Sequence, residues 1–485
     1  MKFIKDILIT FSIQIAGVAL DMGVAIIIAR ALGAEGKGAY SLIVLVATLL
    51  AVLGNLGIGI ANIYFGGSRK HDWIKLASNS LVSAVGLGVL LAAGFLAYFH
   101  IFQPSFLRDI EPRCLVLATL VLPLSLLVTY FTSILLGQNR IKEYNLVRLA
   151  QSGAFLVFVL PVVFAVKGGV FGTIAAWASA VLLAAILSIL LVRRTTNIRW
   201  SFHRQLFKDS VKFGVKGYLG SAIQFLNFRL NMLLVALFMN VTFVGYYSVS
   251  VTMAEALWYF SSAVGTVVFA RTPGMKAEEA NVSTPRICRN TIFLTAVASL
   301  LLFVLGRYII LLLFGSAFLP ALKPLWILLP GVVVFSIPQV LSSEITGRGK
   351  PIVVTIAAGT SLAVSVPLNI LLIPRMGISG AALASTISYT ISAVMVLVVF
   401  LRISKNSWVD TVLLKREDLK IYRSAFSTAR SLNVKYEATA LTKQAFSLLS
   451  PGFWKGESIG SNIPTGNEQD SVEHKGENTK SGKNQ

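Results

Sequence analysis

Four charged residues lie deep inside apolar stretches of this chain: Asp21, Arg148, Arg229 and Glu255. A charge at the centre of a bilayer costs at least ~2.5–3.5 kcal/mol on insertion scales, so each needs a reason to be there. An arginine in such a place suits an anionic group, which its planar fork can grip with two hydrogen bonds. A carboxylate there can hold and release that arginine, or carry a cation or proton. This is binding chemistry rather than bond-breaking chemistry. The four histidines, His71, His100, His203 and His474, all fall in loops or the tail. No His/Cys cluster, P-loop lysine motif or serine elbow occurs, which excludes an ATPase motor within the chain.

The neighbours of these charges sharpen the expectation. Asp21 shares a face with Thr10, Gln14 and Gly17, at spacings of four, three and four residues. That is one polar stripe on an apolar helix. Arg229 lies at similar depth in a later helix that also carries Gln224, Asn227 and Asn231 on a different stripe. Either that helix is enclosed on two sides, or one set is polar glue between helices. Thr48, Asn55 and Asn62 fall seven residues apart on one face, and adding 207 to the first two gives Glu255 and Ser262. Arg148, one turn before Gln151 and Ser152, either contacts an incoming phosphate or snorkels to the interface. The candidate substrate contacts are Arg229, Asp21, Arg148, Asn55, Asn62, Gln224 and Asn231. Glu255 and Asp21 are candidates for coupling to Na+ or H+, with a hydrogen-bonded structural carboxyl as the alternative for Glu255. No metal site and no further cofactor is expected.

The elements that must position these residues are membrane helices. Hydrophobic residues make up 55% of the chain and charged residues 13%, about half the charge of a soluble domain. Runs of about 20 apolar residues span a bilayer as helices, and twelve such runs occur: 7–29, 39–65, 76–99, 114–136, 146–166, 170–192, 213–239, 243–270, 287–314, 325–343, 352–373 and 378–401. The first is too long for a signal-peptide core and has no cleavage site behind it, so it is expected to be retained. Cys114 and Cys288 begin different helices on opposite faces, so no disulfide is expected.

The net charge of +22 sits in alternate loops. About 20 Lys and Arg residues fall in one set, from Lys2 to Lys350, and about seven in the other. By the positive-inside rule both termini face the cytoplasm of a multi-pass protein of the cell membrane. The charge thus encodes topology and contact with anionic lipid rather than nucleic-acid binding.

The chain also repeats itself at an offset of about 208 residues. Gly38-Ala39-Tyr40-Ser41 recurs as Gly245-Tyr246-Tyr247-Ser248, and Gly169-Val170-Phe171-Gly172 as Gly377-Ile378-Ser379-Gly380. Leu136-Gly137-Gln138-Asn139-Arg140 is echoed by Thr346-Gly347-Arg348-Gly349-Lys350. Six helices per half is an even number, so the repeat is parallel, about a pseudo-two-fold along the membrane normal. In this register Asp21 and Arg229 occupy equivalent positions, so a pair across the axis is expected, either as a binding site or as a lock between the lobes. The predicted fold is all-α, with twelve transmembrane helices in two parallel-repeat six-helix lobes around a central cavity. The predicted divisions are an N-terminal lobe over 1–192, a linker over 193–212, a C-terminal lobe over 213–402, an interfacial amphipathic segment over 403–455 and a disordered tail over 456–485. Pro123, Pro161, Pro338 and Pro367 interrupt helices and allow kinks.

Several pieces carry a family resemblance in their order and spacing. They are Ala29-Arg30-Ala31-Leu32-Gly33 followed by Gly36-Lys37-Gly38-Ala39-Tyr40, then Leu313-Phe314-Gly315-Ser316-Ala317-Phe318-Leu319. Gly347-Arg348-Gly349-Lys350-Pro351, the run from Asn369 to Ala382 and the closing Lys415-Arg416-Glu417-Asp418-Leu419 complete the set. Over residues 7–422 the chain resembles the polysaccharide and O-antigen type lipid-linked oligosaccharide flippases of the multidrug/oligosaccharidyl-lipid/polysaccharide exporter superfamily. The resemblance implies a cavity lined by helices one, two, seven and eight among others, often cationic. The glycan diphosphate crosses through it while the lipid tail stays in the bilayer. It implies a lipid-linked glycan substrate, membrane lipids around it and polysaccharide assembly proteins as possible partners, and no enzymatic activity. With only Arg229 and Arg148 deep within it, this cavity is less basic than a lipid II type. The alternative is a cation-coupled multidrug antiporter of the same fold. A membrane polymerase or glycosyltransferase would want a large external loop, and none is present.

Overall fold

The computed structural model describes residues 2–68, 70–272 and 277–418; for 2–14, 267, 270, 271 and 277 it describes the backbone alone. The expected segments beyond residue 418 lie outside these residues, as do the side chains of Thr10 and Gln14. Residues up to 418 form one compact unit.

The unit is all-α among the described residues. Its helices are α1 (Lys2–Asn55), α2 (Ile58–Gly67), α3 (Trp73–Phe102), α4 (Pro112–Leu120), α5 (Leu122–Gly137), α6 (Ile141–Phe164) and α7 (Gly169–Arg193). They continue with α8 (Arg204–Phe238), α9 (Val241–Ala256), α10 (Trp258–Arg271), α11 (Ala277–Leu313), α12 (Leu322–Gly347), α13 (Pro351–Met376), α14 (Ile378–Ser404) and α15 (Trp408–Val412). Ten of the helical stretches are long and apolar enough to cross a membrane. One of them, α1, bends at Gly33, whose φ of 65° and ψ of −170° are open in practice only to glycine, and so makes two crossings. The eighth crossing is broken at Leu257 into α9 and α10, each too short alone. The described residues therefore cross twelve times, in two six-helix lobes. The helix at the start of the second lobe begins at Arg204, so only 194–203 of the predicted linker is non-helical.

The repeat is visible in the packing. In the first lobe α3 packs on α5, α2 on α5, α5 on α7, α6 on α7 and α1 on α6. In the second, α11 packs on α12, α10 on α12, α12 on α14, α13 on α14 and α8 on α13. These are the same five contacts between equivalent crossings. The backbone punctuation also matches. Gly169 and Gly377 open the sixth and twelfth crossings with φ of 59° and 60°, and Asn139 and Gly349 turn the chain at 61° and 80°. Of the four prolines expected to interrupt helices, Pro123 alone stands at a break, between α4 and α5. Pro161, Pro338 and Pro367 lie inside continuous helices.

The lobes meet through α1 and α2 on one side and α8 and α9 on the other. On the face opposite the 194–203 linker, Gly38 and Gly245 let the second and eighth crossings touch backbone to backbone. A Cβ on Gly38 would lie 1.9 Å from the Val241 carbonyl oxygen. Beside them Arg30 donates from Nε to the Leu313 carbonyl at 2.8 Å and from Nη2 to that of Leu312. A cation thus covers the negative end of α11. On the linker face a Cβ on Gly57 would come within 2.2 Å of the Gly214 backbone. There Tyr64 stacks on Phe213 with ring centroids 4.4 Å apart.

Candidate functional site

A cavity of about 700 Å³ opens between the first lobe and the eighth crossing. Its first-lobe wall is built by Asp21 on α1, Lys37 and Tyr40 beyond the bend, Arg148, Gln151 and Ser152 on α6, and Trp177 on α7. Thr252 and Glu255 of α9 and Tyr259 of α10 face them from the second lobe. Helical spacing explains the grouping: Arg148, Gln151, Ser152 and Phe155 fall at offsets of three, four and seven, on one face.

Asp21 and Arg229 do not pair, contrary to the expectation from the repeat. Asp21 accepts a hydrogen bond from Ser152 and faces the charge of Arg148, both on α6. Arg229 closes on Glu255 instead, with Nη1 to Oε1 at 2.9 Å and Nη2 to Oε2 at 3.1 Å. The reason is topological. The first crossing packs on the fifth within its own lobe, as the seventh and eighth meet within theirs. Each deep charge therefore meets its opposite inside its own half, Arg229 in an ion pair with Glu255 and Asp21 at longer range from Arg148. The Arg229–Glu255 fork is two-toothed and about a quarter exposed, with side chains at 33% and 20%. Such a bidentate pair is among the stronger polar contacts available.

The asparagine stripe on α8 is packing glue, which corrects the assignment of Asn231 to the cavity. Asn231 is buried and bonds Ser385 at 2.6 Å, while Ser365 and Asn369 donate to its Oδ1. Asn227 donates to Ser361 at 2.9 Å. These bonds tie α8 to α13 and α14, where an unpaired amide in an apolar interior would be costly. Asn62 is likewise corrected: it is buried and donates to Ser80 at 2.8 Å inside the first lobe. Asn55 stands at the junction of the lobes, bonded to Tyr218 of α8. Gln224 is half-buried, and its Nε2 has no hydrogen-bond partner among the described residues. Neither Asn55 nor Gln224 lines the cavity.

Lys37 escaped the sequence reading, which left it in a loop before a helix expected to start at residue 39. The helix resumes directly after Gly33, so Lys37 sits inside the second crossing and turns into the cavity at 5% exposure. Its ammonium lies 5.4 Å from the Tyr40 ring centre. The local sequence masked it: Gly33, Gly36 and Gly38 within six residues read as a loop, and only the repeat of Gly38 placed Lys37 beside an element. Tyr40, Trp177 and Tyr259 also line the cavity without having been singled out. Among the described residues no three His, Cys, Asp or Glu side chains group as metal ligands.

Two six-helix lobes around a charged central cavity define the fold of the multidrug/oligosaccharidyl-lipid/polysaccharide exporter superfamily of membrane transporters. Within it, the chain belongs to the polysaccharide biosynthesis protein family, whose profile matches residues 3–271. It is 23% identical over 337 residues to an uncharacterized membrane protein of Methanocaldococcus jannaschii, and the match spans 66% of either chain. Among solved structures it is similar to the lipid II flippase MurJ in an inward closed conformation, with a TM-score of 0.70 at 17% identity over 83% of this chain and 91% of that one. It is also similar to an inward-facing multidrug resistance MATE family transporter, with a TM-score of 0.66 at 15% identity over 80% and 95%. A superfamily transporter from Pyrococcus furiosus, described as having a binding pocket of reverse polarity, gives 0.58 at 16% over 83% and 95%. At these identities the likeness is one of fold.

Proposed function

We propose that this chain moves lipid-diphosphate-linked oligosaccharide repeat units from the cytoplasmic to the external leaflet of the cell membrane, for polysaccharide biosynthesis. The observation that carries this reading is the division of charge in the cavity. The first-lobe wall presents Lys37 and Arg148 against the single carboxylate of Asp21, while Glu255 on the facing wall is already closed on Arg229, which stands outside the lining. A member of a polysaccharide biosynthesis family with cations facing a cavity of about 700 Å³ has room and charge for a diphosphate and its first sugars.

Movement follows from the contacts between the lobes. The basic linker face is cytoplasmic by the positive-inside rule. Parting of Gly57 from Gly214 admits the headgroup from that side, with the lipid tail left in the bilayer. Parting of Gly38 from Gly245, and of Arg30 from α11, releases it outside. A proton or Na+ taken up at Glu255 frees Arg229 for the anion, and its loss closes the fork again. Asp21 does the same for Arg148. Polysaccharide assembly proteins at the external face belong to the same proposal.

One observation favours the second reading, a cation-coupled drug antiporter. Tyr40, Trp177 and Tyr259 stand beside Asp21 and Glu255 in the cavity, and aromatic rings with carboxylates bind organic cations. Ligand stabilisation of the purified chain separates the two. A polyprenyl-diphosphate saccharide at a hundred times its dissociation constant adds about 2.7 kcal/mol to stability. It is expected to raise the melting temperature where a lipophilic cation does not. Stabilisation by the cation alone overturns the proposal in favour of the antiporter.

A further inference from the structure

The geometry points to Lys37 as the group that grips the substrate's phosphate anion, at the end of the cavity where the second and eighth crossings touch. This rests on the reading above that the substrate carries a diphosphate.

Three observations carry it. Lys37 is 95% buried by its 5% exposure, yet no carboxylate or carbonyl accepts a hydrogen bond from its ammonium among the described residues. Its ammonium lies over the Tyr40 ring instead. A ring face offsets only part of the cost of a buried cation, so the site is incomplete until an anion arrives. The neighbouring cations differ from it. Arg229 stands outside the cavity lining, closed on Glu255 by two hydrogen bonds, and Arg148 has the carboxylate of Asp21 near it on the same wall. A lysine also suits a transported group better than an arginine fork, because its three rotatable donors follow a phosphate through changing orientations.

The position adds a consequence. Lys37 immediately precedes Gly38, where the backbone of the second crossing presses on Val241 of the eighth. A shift of the backbone at Lys37 towards a bound anion therefore pulls on the Gly38–Val241 contact between the lobes. Loading of the cavity and release of the closure share one stretch of backbone.

The test uses the full chain in nanodiscs with farnesyl diphosphate, farnesyl phosphate and farnesol as probes, in Lys37→Cys and Lys37→Met beside the unsubstituted protein. Loss of one charge-assisted contact corresponds to roughly tenfold or more in affinity. Farnesyl diphosphate is expected to bind the unsubstituted chain most tightly and both variants at least about tenfold more weakly. Modifying Lys37→Cys with an aminoethyl methanethiosulfonate, which restores an ammonium, is expected to recover binding; the sulfonatoethyl reagent is not. Cys114 and Cys288 are buried, and the treated unsubstituted chain controls for them. Equal farnesyl diphosphate binding by the unsubstituted chain and both variants overturns the role of Lys37 alone. Equal recovery with both reagents does the same, since it would show a demand for bulk and not charge. Failure of the unsubstituted chain to bind any diphosphate overturns the diphosphate reading itself.

Discussion

Gly38 and Gly245, equivalent positions of the two halves, lie against each other across the pseudo-two-fold. A Cβ on Gly38 would meet the Val241 carbonyl oxygen at 1.9 Å, and one on Gly245 would meet that of Ala34 at 2.0 Å. Both obstacles are backbone, which cannot swing aside. Small residues at such crossings let membrane helices approach closely where no hydrophobic drive favours association.

Alanine at either glycine is therefore expected to destabilise the closed arrangement by about 1–3 kcal/mol, the range for overpacking. Gly17 and Gly94, whose added Cβ atoms would meet nothing within 4 Å, are the controls. Alanine there is expected to be neutral or stabilising by up to about 1 kcal/mol, its gain in helix propensity. Thermal melts of the four variants in one detergent check this: equal behaviour of all four would contradict the close crossing.

The Arg229–Glu255 fork makes a coupling prediction. Arg229→Ala strands the Glu255 carboxylate, and Glu255→Gln frees the guanidinium. The double variant is expected to be less damaged than the sum of the two singles, with a coupling of about 0.5–3 kcal/mol. Glu255→Gln alone is expected to raise affinity for a diphosphate, since it removes a carboxylate from the cavity lining and frees the cation behind it. A double-mutant cycle read by melting and by farnesyl diphosphate binding measures both.

Asn231 separates packing from binding. Replacing it with Leu leaves Asn369, Ser365 and Ser385 without their shared partner. Asn369 and Ser365 still bond each other, and Ser385 still bonds Tyr247 and the Ala381 carbonyl, so the loss in stability is expected to be about 1–3 kcal/mol in all. Affinity for substrate in the folded fraction is expected to be unchanged, and a change in affinity at full folding would place Asn231 in the site after all.

A pH dependence lies outside the membrane spans. Asp418 accepts hydrogen bonds from Arg289, including Nη2 to Oδ1 at 2.9 Å, and from the Lys415 backbone N–H at 3.0 Å. These hold its carboxyl below the ordinary value of 3.8. A carboxyl depressed in the folded state stabilises fully above its unfolded pKa and loses that contribution as pH falls through the folded value. Asp418→Asn is therefore expected to lower the melting temperature at neutral pH. The difference from the unsubstituted chain should shrink on acidification below about pH 4. A difference that stays constant to low pH would show that the charge of Asp418 contributes nothing.

Fold and site differed in how far they could be read from residues alone. Apolar run length reports a crossing directly, because the bilayer fixes it, and the repeated glycines report backbone turns that few other residues tolerate. Gly169 and Gly377 indeed adopt the same left-handed φ. Depth along a helix placed Asp21, Arg229 and Glu255 near the middle of their spans. Partners are a different matter, since they depend on which helix lies beside which. Sequence symmetry set Asp21 opposite Arg229, whereas packing gives each its own partner within a lobe. The face of α8 that holds Asn231 looked as suitable for a cavity as the face that holds Arg229, because polar glue and polar lining share one composition. Lys37 was hidden by a boundary error of a few residues, which turned a buried cation into an apparent loop charge.

The most direct measurement is leaflet transfer in proteoliposomes. A fluorescent polyprenyl-diphosphate oligosaccharide is placed in both leaflets, and a membrane-impermeant quencher reads the fraction exposed outside. The unsubstituted chain should make nearly all of the probe accessible within the assay, while Lys37→Met should slow the transfer about tenfold or more. Protection of the inner-leaflet half, equal to that in protein-free liposomes, by a folded and correctly inserted chain would contradict the proposed transport.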